Sequence, residues 1–146
     1  MVAKIEHKTR TQCPVACALD IIGDHWTLLI VRDMMFFDVH EYKDMLESAE
    51  KISSSILSTR LRKLENDDII SAIPHPENGK RKLYYLTERG KGLVRVMIEI
   101  ARWSDHNLPE LIHIPQERRE LLDAPLEDVT QIVFDKLEQW EKTYLS

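Results

Sequence analysis

Glycine is scarce in this chain, and its four residues, Gly23, Gly79, Gly90 and Gly92, form no phosphate-cradling or dinucleotide-binding loop. No nucleophile elbow or zinc-protease helix is present either. Long hydrophobic runs are also missing: the apolar stretches are soon broken by charges such as Arg32 and Asp33, so no segment reads as a bilayer span. The first residues carry Lys4, Glu6, His7, Lys8 and Arg10 and lack the apolar stretch of a secretory signal. Cysteine is limited to Cys13 and Cys17. The six histidines, His7, His25, His40, His75, His106 and His113, have no spacing that closes a zinc site with them. These absences lead to the expectation of a soluble, cytoplasmic protein that is not an enzyme and carries no metal or cofactor. A length of 146 residues suits one domain with a small appendage.

What is present begins with the segment 52–65. At about 100° per residue, Leu57, Leu61 and Leu64 share one stripe, while Ser55, Thr59, Arg62 and Asn66 project opposite it. Ser58 and Lys63 lie on the flanks. The pattern also fits an ordinary surface helix with a solvated face. Short hydroxyls beside long cations, however, suit a major groove, because the hydroxyls permit close approach and the cations reach guanine or phosphate. Ser53 is a plausible N-cap. Upstream, residues 41–47 have apolar residues at helical spacing and would form the first helix of a helix-turn-helix, with 48–52 as the turn.

Directly after the helix, residues 69–73 and 80–87 read as two strands, with Asn78-Gly79 between them as a tight type I′ turn. Lys80, Arg81 and Lys82 make the tip cationic. Pro74 and Pro76 require an edge strand, since neither can donate to a ladder. A helix followed by a basic hairpin has the order of a winged helix-turn-helix, in which the helix enters a major groove and the wing reaches the backbone or an adjacent minor groove.

Several stretches together resemble the HxlR-type winged-helix transcriptional regulators, within the wider MarR-like group. They are Cys13-Pro14-Val15, the run Ala18 to Arg32 around Gly23 and Trp26, Tyr42 to Met45, Leu57 to Leu64, and Tyr84-Tyr85-Leu86-Thr87-Glu88-Arg89-Gly90. Roughly residues 13–105 are covered. Asp68 stands where the family usually carries glycine, and Ser71 where arginine is common. The resemblance implies a homodimer and a DNA-reading role, and it matches Cys13 to the cysteine that redox-sensing members use.

Net charge is −5, but its distribution favours nucleic acid. Residues 51–95 hold ten cationic against five anionic side chains, a local +5, whereas 1–50 carry −4 and 96–146 carry −6. Screening confines the reach of distant charges to about 8 to 10 Å, so DNA would feel the basic middle. From Glu88 to about His106 a long helix is expected, with an apolar surface too wide for a single contact face. One side would meet its own core and the other a partner subunit. Beyond Pro109, a last helix from about Leu126 to Tyr144 carries Leu126, Val129, Val133, Leu137, Trp140 and Tyr144 at steps of three and four. This seam would pack on its own subunit or its dimer mate.

Cys13 precedes Pro14, a favoured first helical residue, so it would occupy an N-cap where the helix dipole favours a thiolate. The alternative is a buried, inert cysteine that merely caps or packs. Cys17 follows at i+4, poorly placed for an internal bond along one helix, so a disulfide would join two subunits.

The expected fold is thus mainly α with a small β-hairpin wing: an N-terminal arm over 1–12, a winged-helix DNA-binding domain over 13–108, and a C-terminal helical extension over 109–146. The expected DNA contacts are Ser53, Ser54, Ser55, Ser58, Thr59, Arg60, Arg62, Lys63, Lys80, Arg81 and Lys82, with Arg60 nearest the core stripe. The partners would be double-stranded DNA and a second copy of the chain, under control of an oxidant acting at Cys13. Two alternatives remain at this stage: a MarR-like regulator answering a small lipophilic molecule near Trp103, and a winged-helix module that binds protein.

Overall fold

Burial of one face of each long helix organises residues 11–146, which are the residues described by the structure, a computed structural model. The expected N-terminal arm lies outside the described residues except for Thr11 and Gln12. In chain order the elements are α1 (Pro14–Ile22), α2 (Thr27–Phe36), α3 (Tyr42–Met45), α4 (Ser54–Asn66), β1 (Ile70–His75), β2 (Asn78–Leu86), α5 (Glu88–Lys91), α6 (Val94–Asn107), α7 (Gln116–Asp123) and α8 (Leu126–Tyr144). The core gathers Val31, Met34 and Met35 of α2, Met45 of α3, the three leucines of α4, Ile70 and Leu86 of the hairpin, and Val94 and Ile98 of α6. Met34, Met35 and Met45 are fully buried in this core, a gap-filling use that suits their unbranched, flexible chains. Among the described residues no single helix is long and apolar enough to cross a membrane.

The C-terminal seam closes this core from its own side. Val129, Val133 and Leu137 of α8 are buried with it, and α8 lies against both α2 and α6. Trp140 continues the seam and stacks on His40, with ring centroids 4.0 Å apart. Lys91 joins α5 to α8 through Glu141, and the Lys136 ammonium donates to the Phe36 carbonyl at 3.1 Å.

The hairpin is antiparallel, pairing Ile70 with Leu86 through Pro74 with Lys82. Its turn differs from the sequence expectation. The turn residues are Pro76 and Glu77; Asn78 and Gly79 belong to β2, and no glycine in the described residues has a positive φ. A bulge after Pro74 moves the register so that His75 faces Asn78. Proline fixes the φ that a turn needs, and the Asn78 side chain accepts from Lys80 N–H at 3.1 Å, taking the place of a ladder bond. The expected long helix from Glu88 is likewise two elements. Leu93 N–H bonds to the Gly90 carbonyl at 3.0 Å, a tighter step than an α-helix takes, and the chain turns there between α5 and α6. The helix expected over 41–47 contracts to the single turn of α3.

Two backbone sites fix how α4 meets the wing. Asp68 has φ of 59°, the left-handed conformation that makes glycine the usual residue at this point. Ile69 N–H bonds to the Leu64 carbonyl at 2.9 Å and Asp68 N–H to the Glu65 carbonyl at 3.1 Å, closing the helix end in a Schellman arrangement. Gly90 passes so near the same junction that a Cβ there would lie 2.1 Å from the Ile69 carbonyl oxygen. Replacement of Asp68 by glycine is expected to stabilise the protein by about 1 kcal/mol by relieving the left-handed strain. Urea unfolding of the two proteins would measure it, and a less stable glycine variant would contradict the account.

Candidate nucleic-acid interface

The first turn of α4 is built on Ser53. Its backbone is extended and its hydroxyl accepts from Ile56 N–H at 3.2 Å, taking up one of the donors that a helix start leaves without a partner. Leu57, Leu61 and Leu64 then face inward. Ser54, Ser55, Thr59 and Arg62 are exposed on the other side. The Thr59 hydroxyl donates back to the Ser55 carbonyl at 3.0 Å, which leaves its oxygen able to accept. Ser58 is half-buried, and its hydroxyl lies 3.3 Å from that of Tyr42.

Three of the expected DNA-contacting cations have their charges tied within the chain. The Arg60 Nε donates to Asp24 Oδ1 at 2.9 Å, which anchors α4 to the corner between α1 and α2. Lys63 donates to Asp67 at 2.8 Å and to the carbonyls of Asp20 and Ile21 at 3.3 and 3.2 Å, so its ammonium closes the C-terminal end of α1. Cations are favoured at such an end by the helix dipole. Arg81 grips Glu41 through Nε at 3.0 Å and through a second guanidinium nitrogen. That guanidinium holds the Glu41 carboxyl below its ordinary range. Arg60, Lys63 and Arg81 thus each engage a carboxylate of their own chain, and these pairs orient the helix and the wing.

Arg62, Lys80 and Lys82 remain exposed, with no ion-pair partner among the described residues. The structure adds Lys43, a residue that the sequence pattern did not single out. Together with Tyr42, Lys80, Arg81, Lys82 and Tyr84, it lines a groove of about 370 Å³ between α3 and the wing. Tyr42 links this groove to α4, since its hydroxyl also donates to the Ser54 carbonyl at 3.2 Å. The exposed face of α4, the Tyr42 ring and the cationic wing thus follow one another along a continuous surface. No linear motif marks Lys43; only its place one residue after Tyr42, opposite the wing, could have suggested it.

Asp24 is the anchor on the other side of α4. Burial acts to raise its pKa, but hydrogen bonds from the Thr27 side chain, the Thr27 and Trp26 backbone amides and Arg60 outweigh this, and the net shift is downward. A carboxyl with a lowered folded-state pKa contributes stability that is complete above its unfolded value and is lost as pH falls through the folded one. Asp24→Asn is accordingly expected to reduce stability at neutral pH and to make the remaining protein less sensitive to acid. Unfolding midpoints measured from pH 7 down to pH 3 would record both effects, and parallel curves for the two proteins would refute the role.

A helical turn, a helix exposing hydroxyls and an arginine, and a hairpin with free lysines beside it define a winged helix-turn-helix protein. The profile of the HxlR-like helix-turn-helix family matches residues 21–111, and the chain belongs to that family. An uncharacterized HTH-type transcriptional regulator of Mycobacterium bovis is 32% identical over 108 residues, covering 74% of this chain and 66% of that protein. The chain thus spans just under two thirds of that relative's length. The HTH-type transcriptional regulator YodB of Bacillus subtilis is 32% identical over 96 residues, covering 65% of this chain and 85% of YodB. Among solved structures, PA1607 superposes with a TM-score of 0.65 at 34% identity over 75% of each chain. The reduced form of YodB gives 0.54 at 29%, over 67% of this chain and 96% of that one. The redox regulator HypR in its oxidized form gives 0.57 at 26%, over 65% and 97%. The chain thus carries the helix-turn-helix domain of a family whose matched relatives are named HTH-type transcriptional regulators.

Proposed function

We propose that the protein binds double-stranded DNA as a homodimer at a two-fold operator, with residues 13–108 as the binding domain and 109–146 as its extension. Ser54, Ser55, Thr59 and Arg62 face base edges in the major groove, while Lys43, Lys80 and Lys82 rest on backbone phosphates. The observation that carries this reading is the Tyr42 hydroxyl bound to α4 while its ring lines the lysine groove of the wing. Ser53 and Ser58 act from within, one capping α4 and the other meeting Tyr42.

Dimerisation is supported by apolar surface that a single chain leaves in water. α1 has no buried residue although most of it is apolar, and Val15 and Leu19 are 66% and 56% exposed. α6 buries Val94 and Ile98 but exposes Val96 and Trp103. Two such surfaces joined about a two-fold axis would bring two copies of α4 to successive half-sites.

Cys13 supplies the control. It is exposed at the N-cap of α1, on the same helix as Val15 and Leu19. HypR is described as a redox regulator, and YodB has been solved both reduced and quinone-bound. In the proposed step the Cys13 thiols of two subunits lose two protons and two electrons to a quinone, which becomes the hydroquinone, and an intersubunit disulfide forms. That bond alters the spacing of the two copies of α4 and with it the affinity for DNA.

On DNA from upstream of its own coding region, Arg62→Ala is expected to weaken binding by about 1 to 3 kcal/mol. Lys43→Ala and Lys82→Ala should each lower the salt slope by about one unit. Lys63→Ala should leave the slope unchanged while lowering folding stability. Fluorescence anisotropy across a salt series separates these cases, and equal slopes for all three lysine variants would reject the assigned contacts. Quinone treatment should give a reducible dimer on denaturing gels and a changed DNA affinity for the wild type, with neither for Cys13→Ser. A Cys13→Ser protein that still answers the oxidant would remove Cys13 as the sensor.

A further inference from the structure

The apolar pocket between α2, α6, α7 and α8 has no part in DNA contact. Its volume is about 450 Å³, within the range of small-molecule sites. Leu29 and Phe36 form one wall, Ile100 another, and Leu121 and Ile132 close it from the C-terminal side. About half of its lining comes from residues 113–133, beyond the end of the family match at residue 111. The pocket therefore belongs largely to the extension.

Its charged lining is of one sign. Arg32, Arg118 and His113 border it, and no carboxylate does. Arg32 is held by Asp33 and by Glu50, so its charge is balanced. Arg118 is exposed, lies 4.2 Å above the Phe37 ring, and has no carboxylate partner among the described residues. An apolar body with one cation waiting beside it fits a ligand that is apolar for most of its length and anionic at one end.

We propose that this pocket binds an amphipathic carboxylate, a medium-chain or aromatic-tailed acid, with Arg118 taking the carboxylate and the tail lying between Phe36, Leu121 and Ile132. The pocket also has a route to the DNA-reading helix. Arg32, part of its wall, donates to both Glu50 oxygens at 2.9 and 2.7 Å, and Glu50 lies three residues before the Ser53 cap of α4. The effect on DNA affinity rests on the function proposed above, whereas binding itself does not, so the test contains no DNA.

Titration calorimetry of the full chain with octanoate, and with 1-octanol as its uncharged counterpart, reads the proposal directly. Octanoate should bind once per chain, about tenfold more tightly than octanol, the size of one charge-assisted contact. Arg118→Gln should remove that difference and leave octanol unchanged. Leu121→Trp should block both ligands without lowering the melting temperature, and Ile132→Trp, at a half-exposed position, serves the same purpose if that variant does not fold. Absence of octanoate binding, equal affinity for the two ligands, or an Arg118→Gln protein that binds octanoate normally would each overturn the assignment. So would octanoate binding that emerges only on dilution to a monomer, which would make the pocket an interface between copies.

Discussion

Everything the proposed interface can do depends on how α4 is held. Its leucine face must leave water, and Leu57, Leu61 and Leu64 together turn Ser55, Thr59 and Arg62 outward without any further instruction. Burial alone fixes rotation about the helix axis but not tilt. Tilt is set by two cations of the same helix, Arg60 at Asp24 and Lys63 at the last carbonyls of α1. A helix-turn-helix reader needs both, since a small error in tilt moves a side chain at the far end away from a base edge. Basic residues on such a helix therefore divide by angle: those near the apolar stripe orient it, and those opposite remain for a ligand.

That division explains which parts of the site were legible in the sequence. Helical period identifies the exposed face, so Ser54, Ser55, Thr59 and Arg62 are found by counting, and the cap at Ser53 follows from residue type. Arg60, Lys63 and Arg81 look the same as Arg62 in a list of charges. Lys63 meets Asp67 only four residues on, but the other two partners are distant in the chain: Asp24 is 36 residues from Arg60, and Glu41 is 40 from Arg81. Local pattern has no access to such pairs. Lys43 was missed for the opposite reason, because its role comes from a neighbour across space, the wing, and not from its own helix.

The fold was read more fully, and its errors are local. Asn78-Gly79 carries a strong turn signal, yet Pro76 and the bulge after Pro74 move the turn two residues earlier. The expected helix from Glu88 divides where Gly90 must approach Ile69, a close passage that no periodicity reveals. The apolar seam of the extension was visible at steps of three and four, but the choice between its own subunit and a partner was not. Val129, Val133 and Leu137 resolve it by joining the core of their own chain. Asp68 is the most instructive departure. Its backbone takes a left-handed conformation that the helix end imposes on whatever residue stands there.

Pro74 of β1 and Pro76 of the turn have a consequence beyond the shape of the wing. A two-stranded ribbon leaves backbone donors and acceptors along its outer border, ready to pair with any extended chain that comes near. Pro74 and Pro76 each lack an N–H, and the bulge between Pro74 and His75 twists that border out of register. Copies of the chain at high local concentration would bring such borders close together. A border with missing donors is a poor template for strand addition, so molecules held side by side in this way remain separable.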